Sequence, residues 1–425
     1  MVLTDRLISE FAFAITIFLI ACSAAGILLS TFQTGLSINL LQRTAGYRRR
    51  RNRGPAHSGQ DEREASPLVS ILKPVSGLED SLLDNLESFA QLRRLNYELI
   101  ISIADPNDPA IPVVNRALQS FPPGGARLVI GRTKKTANPK IERLVAAAEV
   151  ARGDIFFISD SNVRVSPDDI TRTLREFDDP DVGCVSNPFV GEGARSLGAL
   201  VESLYLLIFV MPSNVLASWA GVPCVVGKSM ALTRKMYEIL GGFEAFGQML
   251  AEDQSIAVAT KKAGYKVVLA PIVVRNIIER RSVRQVIQRQ VRWGRMRFSF
   301  SKFLYSAELL VNPLPLMLLA SLIGKWFFPS ELPALLNCLI VMIIIRVCQS
   351  LLLMHASGAR ISKLAAILVP AQDFVQAAAQ VASYRSKAVN WRGFQTRLGP
   401  NSLILASENH SSLNGEYAPG VLSST

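Results

Sequence analysis

At 425 residues the chain is long enough for two or three folding units. Hydrophobic residues make up 49% and the mean hydropathy is +0.26, which excludes a largely disordered chain. The net charge of +12 points to nucleic acid, an anionic membrane surface or a polyanionic small molecule as partner classes, while five scattered cysteines without a CxxC pair exclude a zinc ladder or a disulfide scaffold and fit a reduced compartment.

The first expected element is a membrane anchor over residues 1–42. No charge occurs from Phe11 to Gln42, and Phe11–Phe32 is apolar enough for a spanning helix of roughly 20 residues. Asp5, Arg6 and Glu10 leave the leader acidic, whereas a cleaved signal needs a positive one. The lipoprotein-like string Leu19-Ile20-Ala21-Cys22 is the weaker alternative to an uncleaved anchor. Residues 43–66 read as a basic linker, with Arg43, Arg48, Arg49, Arg50, Arg51 and Arg53 marking the cytoplasmic side. Because this run is isolated and lies beside a span, lipid headgroups suit it better than nucleic acid.

From 67 to 275 the pattern alternates. Short apolar runs at Leu68–Leu72, Tyr97–Ala104, Ala126–Ile130 and Asp154–Ser159 read as strands; Asp80–Leu95, Ala110–Phe121 and Ile141–Ala151 read as helices. That order predicts an α/β domain with a mostly parallel sheet, whose ligands bind beyond the carboxyl ends of the strands. Asp105 follows the second strand, and Asp160-Ser161-Asn162 follows the fourth, so two acidic groups reach one edge as a cation or ribose site. A surface turn rich in Asp and Asn is the bland alternative. Glu252-Asp253 opens another helix, where the carboxylates serve either as caps or as a general base.

Leu197–Ala220 is apolar but broken by Glu202 and Pro212, and is expected either to lie against the membrane near a lipid entry or to be an ordinary buried helix. Gly221 to Gly227-Lys228-Ser229 mimics a phosphate loop, but five residues separate its glycines where the motif requires four, so it is set aside. Residues 276–305 hold Arg280, Arg281, Arg284, Arg289, Arg292, Arg295 and Arg297 among Val286, Val291, Trp293 and Met296. This is an amphipathic interfacial helix whose arginines also suit a diphosphate. Residues 306–384 supply membrane segments: Leu309–Phe328 and Leu332–Met354 as spans and Leu364–Ser383 as a re-entrant or interfacial piece, with Arg346 snorkelling or paired. Residues 385–425 form a basic then polar tail, expected to be disordered from Ser402.

The order Asp105, Asp160-Ser161-Asn162, Glu252-Asp253 and Arg289-Gln290-Val291-Arg292-Trp293 resembles membrane-bound inverting glycosyltransferases with a GT-A (Rossmann-like nucleotide-diphospho-sugar transferase) fold. More narrowly, it resembles the ceramide glucosyltransferase family, and so do Leu72-Lys73-Pro74 with Gly77, Asn138-Pro139-Lys140-Ile141, Arg164-Val165 and Asn390-Trp391-Arg392. The similarity runs from Pro67 to Leu398. It implies Asp253 as the catalytic base, Asp105 and Lys140 at the donor nucleotide and Asp160 on a divalent cation (Mg²⁺ or Mn²⁺). It further implies Arg289, Arg292 and Trp293 at the leaving diphosphate and acceptor. Asn162 departs from the acidic third position, and Arg289 stands where many relatives carry Gln, which leans to lipid acceptors over polysaccharide.

The expected reaction is transfer of a hexose, glucose first, from a UDP-sugar to the primary hydroxyl of ceramide. The alternatives are hopanoid or diacylglycerol lipid as acceptor, a polysaccharide synthase, or a membrane-anchored anionic-ligand binder without catalysis. The expected location is a membrane with the catalytic domain on its cytoplasmic face, a bacterial inner membrane by the Arg-rich, Cys-poor composition, with a lipid bilayer and no nucleic acid as partner.

Overall fold

The computed structural model describes residues 2–51, 67–131, 136–310, 312–386, 388–391 and 394–405. The side chains of the arginine run at 48–53, those of Asn390-Trp391-Arg392 and the tail beyond 405 lie outside what is described.

A single long helix, α1 (Val2–Arg51), precedes the sheet. The expected alternation follows as β1 (Val69–Pro74), α2 (Leu82–Ala90), β2 (Tyr97–Ile103), α3 (Ile111–Leu118), β3 (Ala126–Ile130), α4 (Pro139–Val150) and β4 (Ile155–Ser159). Both β1 and β4 are buried at every position, because helices cover the two faces of the sheet and leave no polar side. Helix α2 buries Leu82, Asn85, Leu86 and Phe89, one stripe at helical spacing. Helix α4 begins where Asn138 accepts the Lys140 N–H and Pro139 takes the first turn, a position that has no use for the missing donor.

Next come β5 (Val163–Arg164), α5 (Asp169–Thr173), β6 (Val182–Ser186), β7 (Phe189–Glu192), α6 (Leu197–Tyr205), α7 (Met211–Trp219), β8 (Ser229–Thr233) and α8 (Arg234–Ile239). Then α9 (Glu252–Lys262), β9 (Lys266–Leu269) and β10 (Val274–Ile277) complete the sheets. The main sheet has the order β3-β2-β1-β4-β8-β6-β9. Strands β1 to β4 pair in parallel, while β8 inserts antiparallel between β4 and β6, with Ala231 opposite both Phe157 and Val185. The sheet is therefore mixed, and the fold class is the α/β one expected. A second small sheet, β5-β10-β7, lies beside it. One core layer packs Leu86, Phe89, Leu99 and Phe157 under α2 and α3; the other packs Ile141, Leu144, Phe156 and Ile256 under α4 and α9.

The chain ends with α10 (Val283–Phe300), α11 (Lys302–Leu310), α12 (Pro313–Phe327), α13 (Leu332–Ser357), α14 (Val369–Tyr384) and a hairpin sheet of β11 (Ala388–Trp391), β12 (Phe394–Leu398) and β13 (Ile404–Leu405). Among the described residues, Arg6–Arg43, Leu197–Trp219, Pro329–Ser357 and Lys363–Tyr384 are long and apolar enough to cross a bilayer. A fifth span arises if α11 and α12, bent by 56°, count as one. These helices associate the protein with a membrane.

The membrane-surface reading of Leu197–Ala220 is corrected. A π turn, Leu206–Val210, joins α6 to α7 just before Pro212, whose missing N–H breaks the regular ladder. One side of this helix enters the sheet core through Ala199, Tyr205 and Leu206. Its other side packs Leu204, Leu207 and Met211 on Leu41, Leu353 and Val369. Only its ends, Leu197 and Trp219, are well exposed. Helix α10 also differs in detail from its sequence pattern. It buries Val286, Gln290 and Gly294, not the whole apolar stripe, because close packing on α11 and α14 puts the Tyr305 hydroxyl and Ser383 against Gly294. The expectation of disorder from Ser402 is wrong at its start: Ser402 is fully buried.

Candidate functional site

The site forms where β4 stops. Asp160 follows the last β4 residue, and the turn is held from beneath by Lys73 of the neighbouring β1. The Lys73 ammonium donates to the Asp160 carbonyl at 2.8 Å, to Ser159 Oγ and Val163 O at 3.3 Å each, and sits 4.2 Å over the Phe89 ring. Complete burial pushes its pKa down to about 7, with Asp160 pulling the other way.

Three more elements converge on this turn. Lys140, in the first turn of α4, places Nζ 2.9 Å from Asp160 Oδ1 and 3.0 Å from Glu252 Oε1. Lys228, just before β8, lies 3.1 Å from the other Asp160 oxygen and donates to Asn162 Oδ1 at 2.9 Å. Asp253, in the first turn of α9, accepts the Gly227 N–H at 2.5 Å and the Gln254 N–H at 2.8 Å. Asn138 completes the set, donating to Glu252 Oε2 at 3.0 Å. Gly227 leaves room for the pair, since a Cβ there would press on the Lys140 ammonium at 2.8 Å and the Asp253 carboxylate at 3.2 Å.

The electrostatics follow from this alternation of sign. Burial alone would lower the Lys140 pKa, but Asp160, Glu252 and Asp253 together hold it above the ordinary lysine range. Burial would raise Asp160, yet Lys140 and Lys228 hold its carboxyl well below the usual range. Burial and the neighbouring Glu252 charge push Asp253 up to about 6, with Lys140 and the two N–H donors pulling it down. Burial also lowers Lys228. One carboxylate is thus firmly ionised and another titrates near neutrality, a separation typical of sites that move protons.

The structure brings Lys140, Asp160 and Asp253 into one cluster. Asp105 stands at the same sheet edge, two residues past β2, but is exposed and accepts the Asn107 N–H of its own turn at 2.9 Å. Arg289 pairs with buried Glu202 at 2.5 Å, and its charge reaches Lys228. Arg292 lines a groove of about 610 Å³ with Arg281, Gln288, Arg289 and Arg295. Trp293 packs toward the core beside Tyr205, ring centres 6.1 Å apart. Three participants were given no role by the sequence: Lys73, quoted only within the family-like Leu72-Lys73-Pro74 string that ends a strand; Lys228, inside the stretch set aside as a false phosphate loop; and Gly227 before it. Glu252 was visible beside Asp253 without a role of its own.

Among the described residues no group of three His, Cys, Asp or Glu side chains is placed to hold a metal ion by itself. Asp160 and Asn162 nevertheless present a carboxylate and an amide oxygen to the same ammonium, so the position draws cations. One carboxylate with further hard oxygen donors suits a Mg²⁺-like ion that takes its remaining ligands from water and substrate phosphates. The residues fit such an ion.

The profile of glycosyl transferase family 21 matches residues 24–404. Ceramide glucosyltransferase 1 of Caenorhabditis elegans is 26% identical over 245 residues, covering 57% of this chain and 52% of that protein. Ceramide glucosyltransferase 3 of the same organism is 25% identical over 261 residues, covering 61% and 56%. The matched region thus spans about half the length of these relatives. A mannosyltransferase of Pyrobaculum calidifontis, solved with GDP-Man and Mn²⁺, superposes with a TM-score of 0.44 at 18% identity, over 85% of this chain and 99% of that one. Since the matching profile covers the sheet, the charge cluster and the helices after them, this chain belongs to glycosyl transferase family 21.

Proposed function

We propose that this chain transfers a hexose, glucose first, from a UDP-sugar to the primary hydroxyl of ceramide with inversion, yielding a glycosylceramide. The observation that carries the reading is Asp253, a half-buried carboxylate held by the Gly227 and Gln254 N–H groups beside Lys140, which in turn bridges Glu252 and Asp160; its pKa is pushed up to about 6. Asp253 takes the acceptor's hydroxyl proton as the new C–O bond forms at the anomeric carbon and the bond to the diphosphate breaks. Lys140 and Lys228 face the negative charge that grows on the leaving group. Asp160 with Asn162 would hold a divalent cation, which when bound supplies further positive charge to the diphosphate. Asp105 contributes to the nucleotide, and Arg289, Arg292 and Trp293 to the diphosphate and acceptor mouth.

In this reading residues 67–275 form the transfer domain, 276–305 the helix at the membrane surface, and 1–42 and 306–384 the membrane part. The transfer domain lies on the cytoplasmic face, the membrane being a bacterial inner one. The +12 charge and the apolar helices support a bilayer in place of nucleic acid.

The test is a lipid extract from cells expressing the protein, with and without added ceramide, analysed by mass. A hexosylceramide that vanishes in Asp253→Asn supports hexose transfer, the ceramide acceptor and Asp253 as base. A hexose on hopanoid or diacylglycerol moves the acceptor. No new glycolipid from a well-expressed protein overturns transfer and leaves an anionic-ligand binder, for which UDP-sugar binding is then measured.

A further inference from the structure

The loop that delivers Glu252 and Asp253 does not hold itself. Ala251, the N-cap of α9, has no side chain with which to cap the helix. Its backbone is fastened from 151 positions away in the chain instead, at the turn between β12 and β13. Ser402 Oγ accepts the Ala251 N–H at 3.0 Å, and the Ser402 carbonyl accepts the Leu250 N–H at 2.9 Å. Ile404 N–H donates to Gln248 O at 2.8 Å, and Met249 bridges to Leu403. The Ser402 N–H donates to Ser299 Oγ of α10 at 2.9 Å, so one residue ties the loop to the helix that carries Arg289, Arg292 and Trp293.

Two further facts mark Ser402 as more than a turn residue. It is fully buried, and with Asn401 it adopts a left-handed backbone, φ 60° and 53°, which side chains other than glycine rarely take. Such a conformation persists when its surroundings over-determine it, and here all three of its polar backbone and side-chain groups are bonded. A small cluster of Leu250, Val389 and Leu398, with Met296 and Ile404 against it, seals the contact. On the far side, Asn138 holds the same loop by donating to Met249 O at 2.8 Å and to Glu252.

We propose that Ser402 is a positioning residue for the transfer reaction: the 398–405 turn straps the 248–251 loop so that Asp253 is presented to Lys140 and Asp160 in register with α10. The role in transfer rests on the function proposed above, whereas the strap itself does not, and the experiment separates them. Ser402→Gly removes the hydroxyl and keeps a residue at ease with positive φ. Amide hydrogen exchange of Ala251, measured on the membrane-reconstituted full chain, is expected to quicken by about tenfold, with exchange in β1 and β4 unchanged. Glycosyl transfer is expected to lose about tenfold in kcat with KM for UDP-sugar within about twofold, since the donor's contacts stay in place. Ser299→Ala, which severs the tie to α10 together with the Ser299 hydroxyl's own bond to Met296 O, is expected to show a smaller change in the same direction. Unchanged exchange at Ala251, or a raised KM with unaltered kcat, overturns the proposal. If the wild-type protein transfers no sugar, the proposed function fails, and the exchange measurement still decides the strap.

Discussion

Two buried sets of opposite charges can be compared in this molecule. Deep among the helices, Arg346 of α13 meets Asp373 of α14 through two hydrogen bonds of 2.8 and 2.7 Å, its third nitrogen donating to Gln349 Oε1 at 3.0 Å. Gln349 in turn donates to Thr31 and Ser30 of α1, at 2.9 and 3.2 Å. One cation faces one anion, bidentate, with side chains 8% and 2% exposed. At the sheet edge, by contrast, two lysines share Asp160, Glu252 and Asp253, and the Asp160 side chain is 24% exposed. The helical pair is closed, its donors spoken for, and it welds three helices where an unpaired charge would be costly. The sheet-edge cluster has more charges than pairs and an opening to solvent. A charged ligand can therefore exchange partners there without stranding a residue. Burial of ions alone does not mark a working site; an incomplete pairing with access does.

The largest effect that would sharpen this contrast is Asp253→Asn, expected to lower glycolipid formation by about a thousandfold while leaving the melting of the purified protein in place. Equal turnover of the variant would remove Asp253 as base. In the helical pair the loss should fall on stability: Asp373→Leu strands Arg346 and is expected to cost about 3–5 kcal/mol in an unfolding titration, largely recovered in the double variant with Arg346→Met. If both single and double variants melt alike, the pair is not the weld described. Lys228→Met, back at the sheet edge, is expected to raise KM for the UDP-sugar by about tenfold in steady-state assays, with little change in melting. The smallest effect is in the pH profile. Asp253 is pushed up to about 6 and must be ionised to act, so transfer falls as pH drops below about 6, where an ordinary aspartate would hold activity to about 4. Glu252→Gln removes a charge that raises Asp253, so the acid limb in that variant moves to lower pH; a limb that stays put would dissociate the two carboxylates.

What the sequence disclosed was local. The strand FFIS running straight into Asp160 placed that carboxylate at the sheet edge, because a buried parallel strand and its end are written in consecutive residues. Lys140 was marked by the resemblance through Asn138-Pro139-Lys140-Ile141, although the helix expected from Ile141 in fact starts at Pro139. Lys228 was hidden because its role depends on β8 turning back antiparallel between β4 and β6, a pairing of Phe157 with Ala231 that no local pattern contains. Lys73 was hidden for a related reason: a lysine at the end of an apolar run resembles the edge of a core, and only the neighbouring β4 turn supplies three acceptors for its ammonium. The buried course of Leu197–Trp219 was ambiguous because a helix wedged between a sheet and a bundle is as apolar as one facing lipid.

The strap at Ser402 also has a consequence for the order in which the protein matures. Synthesis proceeds from the N-terminus, so the 248–251 loop leaves the ribosome well before its fastening at 398–405, and helices α11 to α14 are made in between. A nascent chain halted anywhere in that interval carries the sheet and its carboxylates but not the hydrogen bonds on Leu250 and Ala251. Those bonds therefore close only after α11 to α14 have been made, and, with Ser402 as the positioning residue proposed above, the onset of turnover waits on that synthesis.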